Sequence, residues 1–170
     1  MRSSFFNEGV IDALALRAEV GRDSTVVDVG TGTGFVAAGL ASRAANVIGV
    51  DSSPGMLGVA AGNLTALGIR NTTLVESSVD ALPLAGDSVD AAVANMVLHH
   101  APDPAVMLAE MARVVGPGGV VAITDEVEHP YEWMRTEQSD LWLGFAASDV
   151  ERFFAGSRLL DYGYDSLGMQ

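Results

Sequence analysis

Short apolar segments alternate with helix-like segments along the first 125 residues of the chain. Strand-like stretches, most of them valine-rich and without polar alternation, occur at 25–30, 46–51, 72–76, 88–95 and 119–125. Unbroken apolar runs of this length are typical of parallel strands that are covered on both faces. Their alternation with helices predicts an α/β fold, a Rossmann-like, doubly wound, mostly parallel sheet with helices on both faces.

Capping signals place helices around these strands. Serine–proline and aspartate–proline pairs supply an N-cap and a first-turn proline for helices over 53–67 and 103–115. A further helix is predicted over 8–20, and residues 5–7 before it are predicted either to pack on it or to close over a ligand. The glycine- and proline-rich stretch 116–119 predicts a turn into the fifth strand.

The last 45 residues have a different pattern. Apolar residues at helical spacing predict a helix over 130–145. Ser148-x-x-Glu151 reads as a capping box that opens a short helix ending at Gly156. A single strand is predicted over 158–165.

The length, net charge and cysteine content of the chain limit the classes of function that it can have. The 170 residues are predicted to form one domain, 1–170, with its core at about 20–125 and an acceptor-side cap and last strand at 126–170. The net charge of −13 opposes approach to a polyanion, so nucleic acid is not expected as a partner. The chain has no cysteine, which excludes disulfides and a thiol nucleophile, and no metal site is predicted. No signal peptide or membrane span is recognised, which predicts a cytoplasmic protein that does not enter the membrane.

The most informative segment joins the first strand to a glycine-rich turn. Asp28 is followed by Gly30, Gly32 and Gly34, which let the backbone bend tightly and approach a ligand. In dinucleotide-binding proteins the same turn offers backbone N–H groups to a pyrophosphate, which a carboxylate would repel. Asp28 therefore favours a ligand that carries positive groups.

Two further observations bear on that ligand. Asp51 ends the second strand, where a carboxylate can accept both hydroxyls of a ribose, although an acid there can also simply cap the next helix. Gly32-x-Gly34-x-x-Ala37 satisfies the looser dinucleotide fingerprint as well, so an NAD-type oxidoreductase remains an alternative.

Four segments in register resemble one family. The 28–34 turn with Asp51 resembles motif I and the ribose-binding acid of the class I S-adenosylmethionine-dependent methyltransferases. Residues 77–84 resemble the adenine loop of that family, 93–100 its fourth strand and exit, and 117–119 the turn before its fifth strand. The subgroup suggested is the broad one that contains the ubiquinone and menaquinone methyltransferases.

The resemblance implies transfer of a methyl group from S-adenosylmethionine to a small-molecule acceptor by in-line displacement. A non-catalytic module that binds S-adenosylmethionine is a further alternative. Ser78 stands where many relatives have an aspartate that bonds the adenine amino group, while Met56 is implied to pack on the adenine. The implied cofactor-binding residues are Asp28, Gly30, Thr31, Gly32, Gly34, Asp51, Ser52, Met56, Ser78, Val79 and Asn95.

A base is needed only if the acceptor must lose a proton. His100 is the predicted catalytic residue, because it follows the fourth strand and an imidazole titrates near neutral pH. The alternative is that His99 or His100 only packs the loop before Pro102. Asp125 and His129 are further candidates on the same rim.

The end of the chain departs from the family. Class I methyltransferases usually finish with an antiparallel hairpin, and here only one strand is predicted, so the hairpin is expected to be incomplete. An edge strand left open invites pairing with a second subunit, which predicts a homodimer. The aromatic residues of this region are expected mainly to pack, and the stretch 128–145 to cover the acceptor pocket. Arsenite is disfavoured as the acceptor because no cysteine can bind it.

Overall fold

The structure is a computed structural model that describes residues 8–167, so residues 5–7 lie outside the described part. The strands are β1 (Thr25–Val29), β2 (Asn46–Asp51), β3 (Thr72–Glu76), β4 (Val89–Asn95) and β5 (Val115–Thr124). The helices are α1 (Glu8–Arg17), α2 (Phe35–Ala41), α3 (Pro54–Ala66), α4 (Pro104–Val114), α5 (Trp133–Glu137) and α6 (Ala147–Ala155), and a 3₁₀ turn spans Leu98–His100.

The five strands form one parallel sheet in the order β3-β2-β1-β4-β5. In the register Asp28 pairs with Gly49 of β2 on one side and with Val93 of β4 on the other. The predicted α/β class and Rossmann-like sheet are therefore confirmed. The direction of winding reverses between β1 and β4, and ligands of such sheets bind beside the carboxyl ends of the strands at that point.

Apolar side chains fill both faces of the sheet. Leu14 of α1 and Leu40 of α2 are fully buried together with Val26 of β1 on one face. On the other face Met107 and Met111 of α4 pack against the strands. Burial on both faces explains why the strands are continuously apolar in the sequence.

The core elements lie close to their predicted bounds. Strands β2 and β3 have the predicted limits, and α3 and α4 end within two residues of theirs. Helix α1 ends at Arg17 rather than Val20, because the chain leaves the helix through Glu19, whose φ is 52°. The predicted turn at 116–119 lies inside β5: pairing begins at Val115, is interrupted, and resumes opposite Ala91 of β4.

Three predictions for the C-terminal part are wrong. The helix over 130–145 is reduced to α5, because Ser139 and Gly144 have positive φ values of 64° and 70°, which a helix does not admit. Helix α6 begins one residue before Ser148, and the Asp149 carboxylate, not Glu151, accepts the N–H of Ala146. Within the described residues 158–167 no strand forms.

The length and hydropathy of the described helices can be compared with those of a membrane-spanning helix. Among residues 8–167 none is both long and apolar enough to cross a lipid bilayer.

Candidate functional site

The glycine turn after β1 is tied to the end of β2. The N–H groups of Gly30 and Thr31 both donate to the carbonyl oxygen of Val50, at 2.8 and 2.9 Å, and the N–H of Gly34 donates to the carbonyl of Thr31. Gly30, Gly32 and Gly34 all have positive φ, at 71°, 54° and 80°. This conformation costs little only for glycine, so the backbone shape explains the glycine at every second position.

The three glycines have different surroundings. A Cβ on Gly30 would overlap the Val97 side chain, whereas a Cβ on Gly32 would only contact the methyl end of Met56, at 3.6 Å. Gly34 lies against Ala60 of α3, where an added Cβ would be 3.1 Å from the alanine Cβ. Gly34 therefore lies where α2 packs on α3, and its implied contact with the cofactor stays a prediction.

Asp28 is buried beneath the turn and only 1% exposed. The Thr31 hydroxyl donates to its Oδ2 at 2.6 Å. Burial raises the pKa of Asp28 to about 6, and although the hydrogen bonds from Thr31 and the Ala37 backbone lower it, the charge of Asp51 raises it further. A positive group near the turn would favour the charged form of this carboxyl.

Asp51 presents its carboxylate to the same turn. Its Oδ2 accepts the N–H of Gly32 at 2.8 Å, and its Oδ1 accepts the N–H of Ser53 at 2.9 Å. The N-cap of α3 is Ser53, whose hydroxyl accepts the N–H of Met56. Each carboxylate oxygen has a second acceptor position, so Asp51 can also accept from ligand hydroxyls.

The remaining predicted cofactor residues surround the turn. The N–H of Ser77 donates to the carbonyl of Asp51, which brings the loop after β3 to the end of β2. Asn95 at the end of β4 accepts the Thr124 hydroxyl at 2.7 Å. One cleft at the carboxyl ends of the strands is lined by all the implied residues except Gly34, namely Asp28, Gly30, Thr31, Gly32, Asp51, Ser52, Met56, Ser78, Val79 and Asn95.

Two residues that the sequence did not single out hold the loop after β3. Arg113 of α4 donates to the carbonyl oxygens of Leu82 and Leu84, at 3.0 and 2.9 Å, while pairing with Glu110 at 2.7 Å. Glu110 in turn accepts the N–H of Leu82. The i, i+3 spacing of the acid and the arginine on one helix is the only signal of this contact in the sequence.

The two adjacent histidines have different environments. His100, the predicted base, lines the cleft with 43% of its side chain exposed, and its Nδ1 lies 3.3 Å from the carbonyl oxygen of Ser139. His99 is buried, and its Nδ1 is 2.7 Å from Oδ1 of Asp125. The other oxygen of Asp125 accepts the N–H of Leu98, so this aspartate fixes the 3₁₀ turn.

Charged neighbours control the protonation of His99. Burial lowers the pKa of its imidazole. The hydrogen bond and charge of Asp125, together with the charges of Asp140 and Glu126, outweigh that effect and raise the pKa above its ordinary value.

A second imidazole, that of His129, lies 2.7 Å from a carboxylate oxygen of Glu126 on the cleft wall. The rim of β5 thus carries two histidine–carboxylate pairs.

The aromatic residues of the C-terminal part mainly pack, as expected. Trp142, Phe145 and Phe153 form a cluster with ring centroids 5.7 to 6.1 Å apart. Tyr131 and Trp133 are about half exposed and lie on the cleft wall instead. The exposed rings of Tyr162 and Tyr164 line the same cleft.

Comparison with known proteins adds three findings. Residues 27–123 match the family described as "Methyltransferase domain". An uncharacterized methyltransferase of Mycobacterium avium is 40% identical over 100 residues, which are 59% of this chain and 38% of that protein. An arsenite methyltransferase of Halobacterium salinarum is 36% identical over 107 residues, 61% of this chain and 27% of that protein.

A solved structure shows the same fold. The YcgJ protein from Bacillus subtilis has a TM-score of 0.80 at 22% identity, covering 88% of this chain and 67% of its own. The chain spans less than half the length of the curated relatives that it matches.

Proposed function

The chain belongs to the class I S-adenosylmethionine-dependent methyltransferases, and from this premise we propose that it transfers a methyl group from S-adenosylmethionine to a small-molecule acceptor. The observation that carries the proposal is the position of Asp51, whose carboxylate is bonded to the N–H of Gly32 beside the buried Asp28. Two acids thus flank a glycine turn at the carboxyl ends of β1 and β2.

The residues of the turn fit this cofactor. S-adenosylmethionine carries an ammonium and a sulfonium, and both are stabilised by nearby carboxylates. Asp28 and Asp51 lie close enough for the charge of Asp51 to raise the pKa of Asp28, so a cation bound near them relieves that repulsion. A pyrophosphate would add negative charge to the same place, which argues against the NAD-type alternative.

The cofactor is proposed to supply the reactive methyl group, and the chain to bind and orient both reactants. The bound cofactor supplies an electrophilic methyl group on its sulfonium. The chain supplies positioning and exclusion of water, which are sufficient for an in-line displacement when the acceptor is already nucleophilic. Asp51 is proposed to hold the ribose, Met56 to pack on the adenine, and Asn95 to border the methionine group.

The acceptor side favours a small, partly apolar molecule. Tyr131 and Trp133 present half-exposed rings to the cleft, and several residues of the stretch 128–145 line it. Arsenite is not proposed, although an arsenite methyltransferase is among the relatives, because the chain contains no cysteine to bind it. His100 remains a predicted base for an acceptor that must lose a proton.

Calorimetric titration with S-adenosylhomocysteine tests the cofactor site. We expect wild-type protein to bind it and not NAD, and Asp51→Asn to weaken binding by about 10- to 100-fold, since a charged acceptor of ligand hydroxyls is lost. Asp23→Asn is the matched control, because Asp23 is exposed, precedes β1 and lies off the cleft, and its affinity should equal that of the wild type. Equal losses in both variants would contradict the proposal.

Methyl transfer itself requires a second experiment. The protein is incubated with a metabolite extract and S-adenosylmethionine labelled in the methyl group, and labelled products are separated by mass. A labelled small molecule that is absent with Asp51→Asn supports the proposed activity. Binding of S-adenosylhomocysteine without any labelled product favours the non-catalytic module instead.

A further inference from the structure

Asp140, in the loop after α5, is a buried acid whose carboxylate has no hydrogen-bond partner and makes only long ion pairs with two histidines. Its side chain is 1% exposed, and neither carboxylate oxygen has a hydrogen-bond partner. Within residues 8–167 no arginine forms an ion pair with it. Burial of a carboxylate costs several kcal/mol unless a positive group compensates it, so the surroundings of Asp140 should supply that charge.

The nearest polar atoms belong to the two histidines that follow β4. Oδ1 of Asp140 is 3.6 Å from Nε2 of His99 and 3.7 Å from Nδ1 of His100. The three candidate ligand atoms lie within 4.8 Å of one another. These spacings are too long for hydrogen bonds, unlike the 2.7 Å between His99 and Asp125 in the same cluster.

A shared ion accounts for such spacings. Two ligand atoms at about 2.0 to 2.1 Å from one ion are about 3.3 to 3.6 Å apart when the angle between them is tetrahedral or slightly wider. One oxygen of Asp140 is placed almost equally far from both imidazole nitrogens, as this arrangement requires. To bind the ion, Nδ1 of His100, which is 43% exposed, would exchange its 3.3 Å contact with the Ser139 carbonyl oxygen for the metal.

Asp125 holds the nitrogen of His99 that does not face Asp140. A histidine that binds a metal through one nitrogen usually donates its other N–H to a carboxylate, which fixes the ring and raises its basicity. Nδ1 of His99 makes this contact with Asp125, and Nε2 therefore faces Asp140. The charges of Asp125 and Asp140 together balance a divalent cation.

We propose that His99, His100 and Asp140 bind a divalent transition-metal ion. Two imidazole nitrogens and one carboxylate oxygen suit zinc and its first-row neighbours. His100 lines the cleft, which gives the ion a path to the site. Metal binding and the predicted role as a base are alternatives for His100, because a nitrogen that binds a metal cannot accept a proton. It also departs from the sequence prediction that no metal site is present.

Zinc titration of the full chain tests the site. Protein without an affinity tag is freed of metal with a chelator, dialysed, and titrated with Zn²⁺ in a calorimeter without S-adenosylhomocysteine. We expect one ion per chain, and at least about tenfold weaker binding in His100→Ala and in Asp140→Asn. Co²⁺ should give the visible absorption of a site with nitrogen and oxygen ligands, and this signal should be lost in both variants.

His129→Ala is the matched control, because this histidine is also paired with a carboxylate on the cleft but lies outside the cluster. Its zinc affinity should equal that of the wild type. Absence of binding, unchanged affinity in His100→Ala, or an equal loss in His129→Ala would overturn the proposal. His100 is exposed, so His100→Ala decides the matter if Asp140→Asn fails to fold. Asp51→Asn should keep zinc while losing S-adenosylhomocysteine, which separates this site from the cofactor site.

Discussion

The buried carboxyl group of Asp28 has a pKa of about 6, against an ordinary value of 3.8. A carboxyl group with a higher pKa in the folded than in the unfolded chain binds protons more tightly when folded. The contribution of Asp28 to the free energy of unfolding therefore falls as the pH rises from about 4 to about 6, and is constant above that range.

We expect Asp28→Asn to remove the decrease in the free energy of unfolding that ionisation of Asp28 causes between about pH 4 and pH 6. Its free energy of unfolding should exceed that of the wild type by about 2 to 3 kcal/mol at pH 7, with little difference at pH 4. Urea unfolding at several pH values measures this, with Asp80→Asn as the exposed control. Parallel pH profiles for Asp28→Asn and wild type would contradict it. Binding of S-adenosylhomocysteine should weaken in the same variant, since the ammonium loses its counter-charge.

Gly30 should tolerate no side chain. Gly30→Ala places a Cβ on the Val97 side chain and requires a φ of 71°, so we expect a loss of about 1 to 3 kcal/mol in the free energy of unfolding. Gly58→Ala in α3 is the comparison, because nothing lies within 4 Å of its added Cβ and alanine favours a helix. That variant should gain about 0.5 to 1 kcal/mol. Similar melting temperatures for Gly30→Ala and Gly58→Ala would contradict the predicted overlap with the Val97 side chain.

At the scale of elements, α4 controls the loop after β3. Arg113 bonds two carbonyl oxygens of this loop, and a lysine lacks the forked group that reaches both. Arg113→Lys should lower the free energy of unfolding by about 1 to 3 kcal/mol and speed amide hydrogen exchange over 77–84. Arg17→Lys, in an exposed pair with Asp165, should change stability by less than about 1 kcal/mol. Equal exchange over 77–84 in both variants would show that the loop is held by other contacts.

The elements also show where sequence reasoning succeeds. Strand β2 was predicted at its observed limits because its apolar run, largely buried inside the sheet, is bounded by turns. The limits of β3 were also predicted, although this edge strand has no fully buried residue. The helix predicted over 130–145 failed because helical spacing of apolar residues also arises in a folded loop. There Phe145 is buried and Trp142 partly buried, and both contact Phe153 of α6, which lies outside the stretch in which the spacing was read.

At the scale of the whole molecule, the net charge of −13 should limit stability at neutral pH. Added salt screens repulsion between carboxylates, so we expect the melting temperature at pH 7.5 to rise between about 10 mM and 500 mM NaCl. Near pH 4.3, the isoelectric point, the same salt should have little effect because the net charge is close to zero. An equal rise at both pH values would point to a general salt effect. Homodimer formation at the edge of the sheet remains a prediction.

The sequence by itself determined the parallel sheet, the glycine turn with Asp28 and Asp51, and the family, because local backbone geometry and burial impose residue types at fixed spacings. Only the tertiary structure decided that Gly34 packs between helices, that Arg113 holds the loop after β3, and that Asp140 meets His99 and His100. Asp140 is 40 residues from His100 in the chain, and no local rule relates two such positions. Their proximity follows from how the segment after β5 folds back over the end of β4.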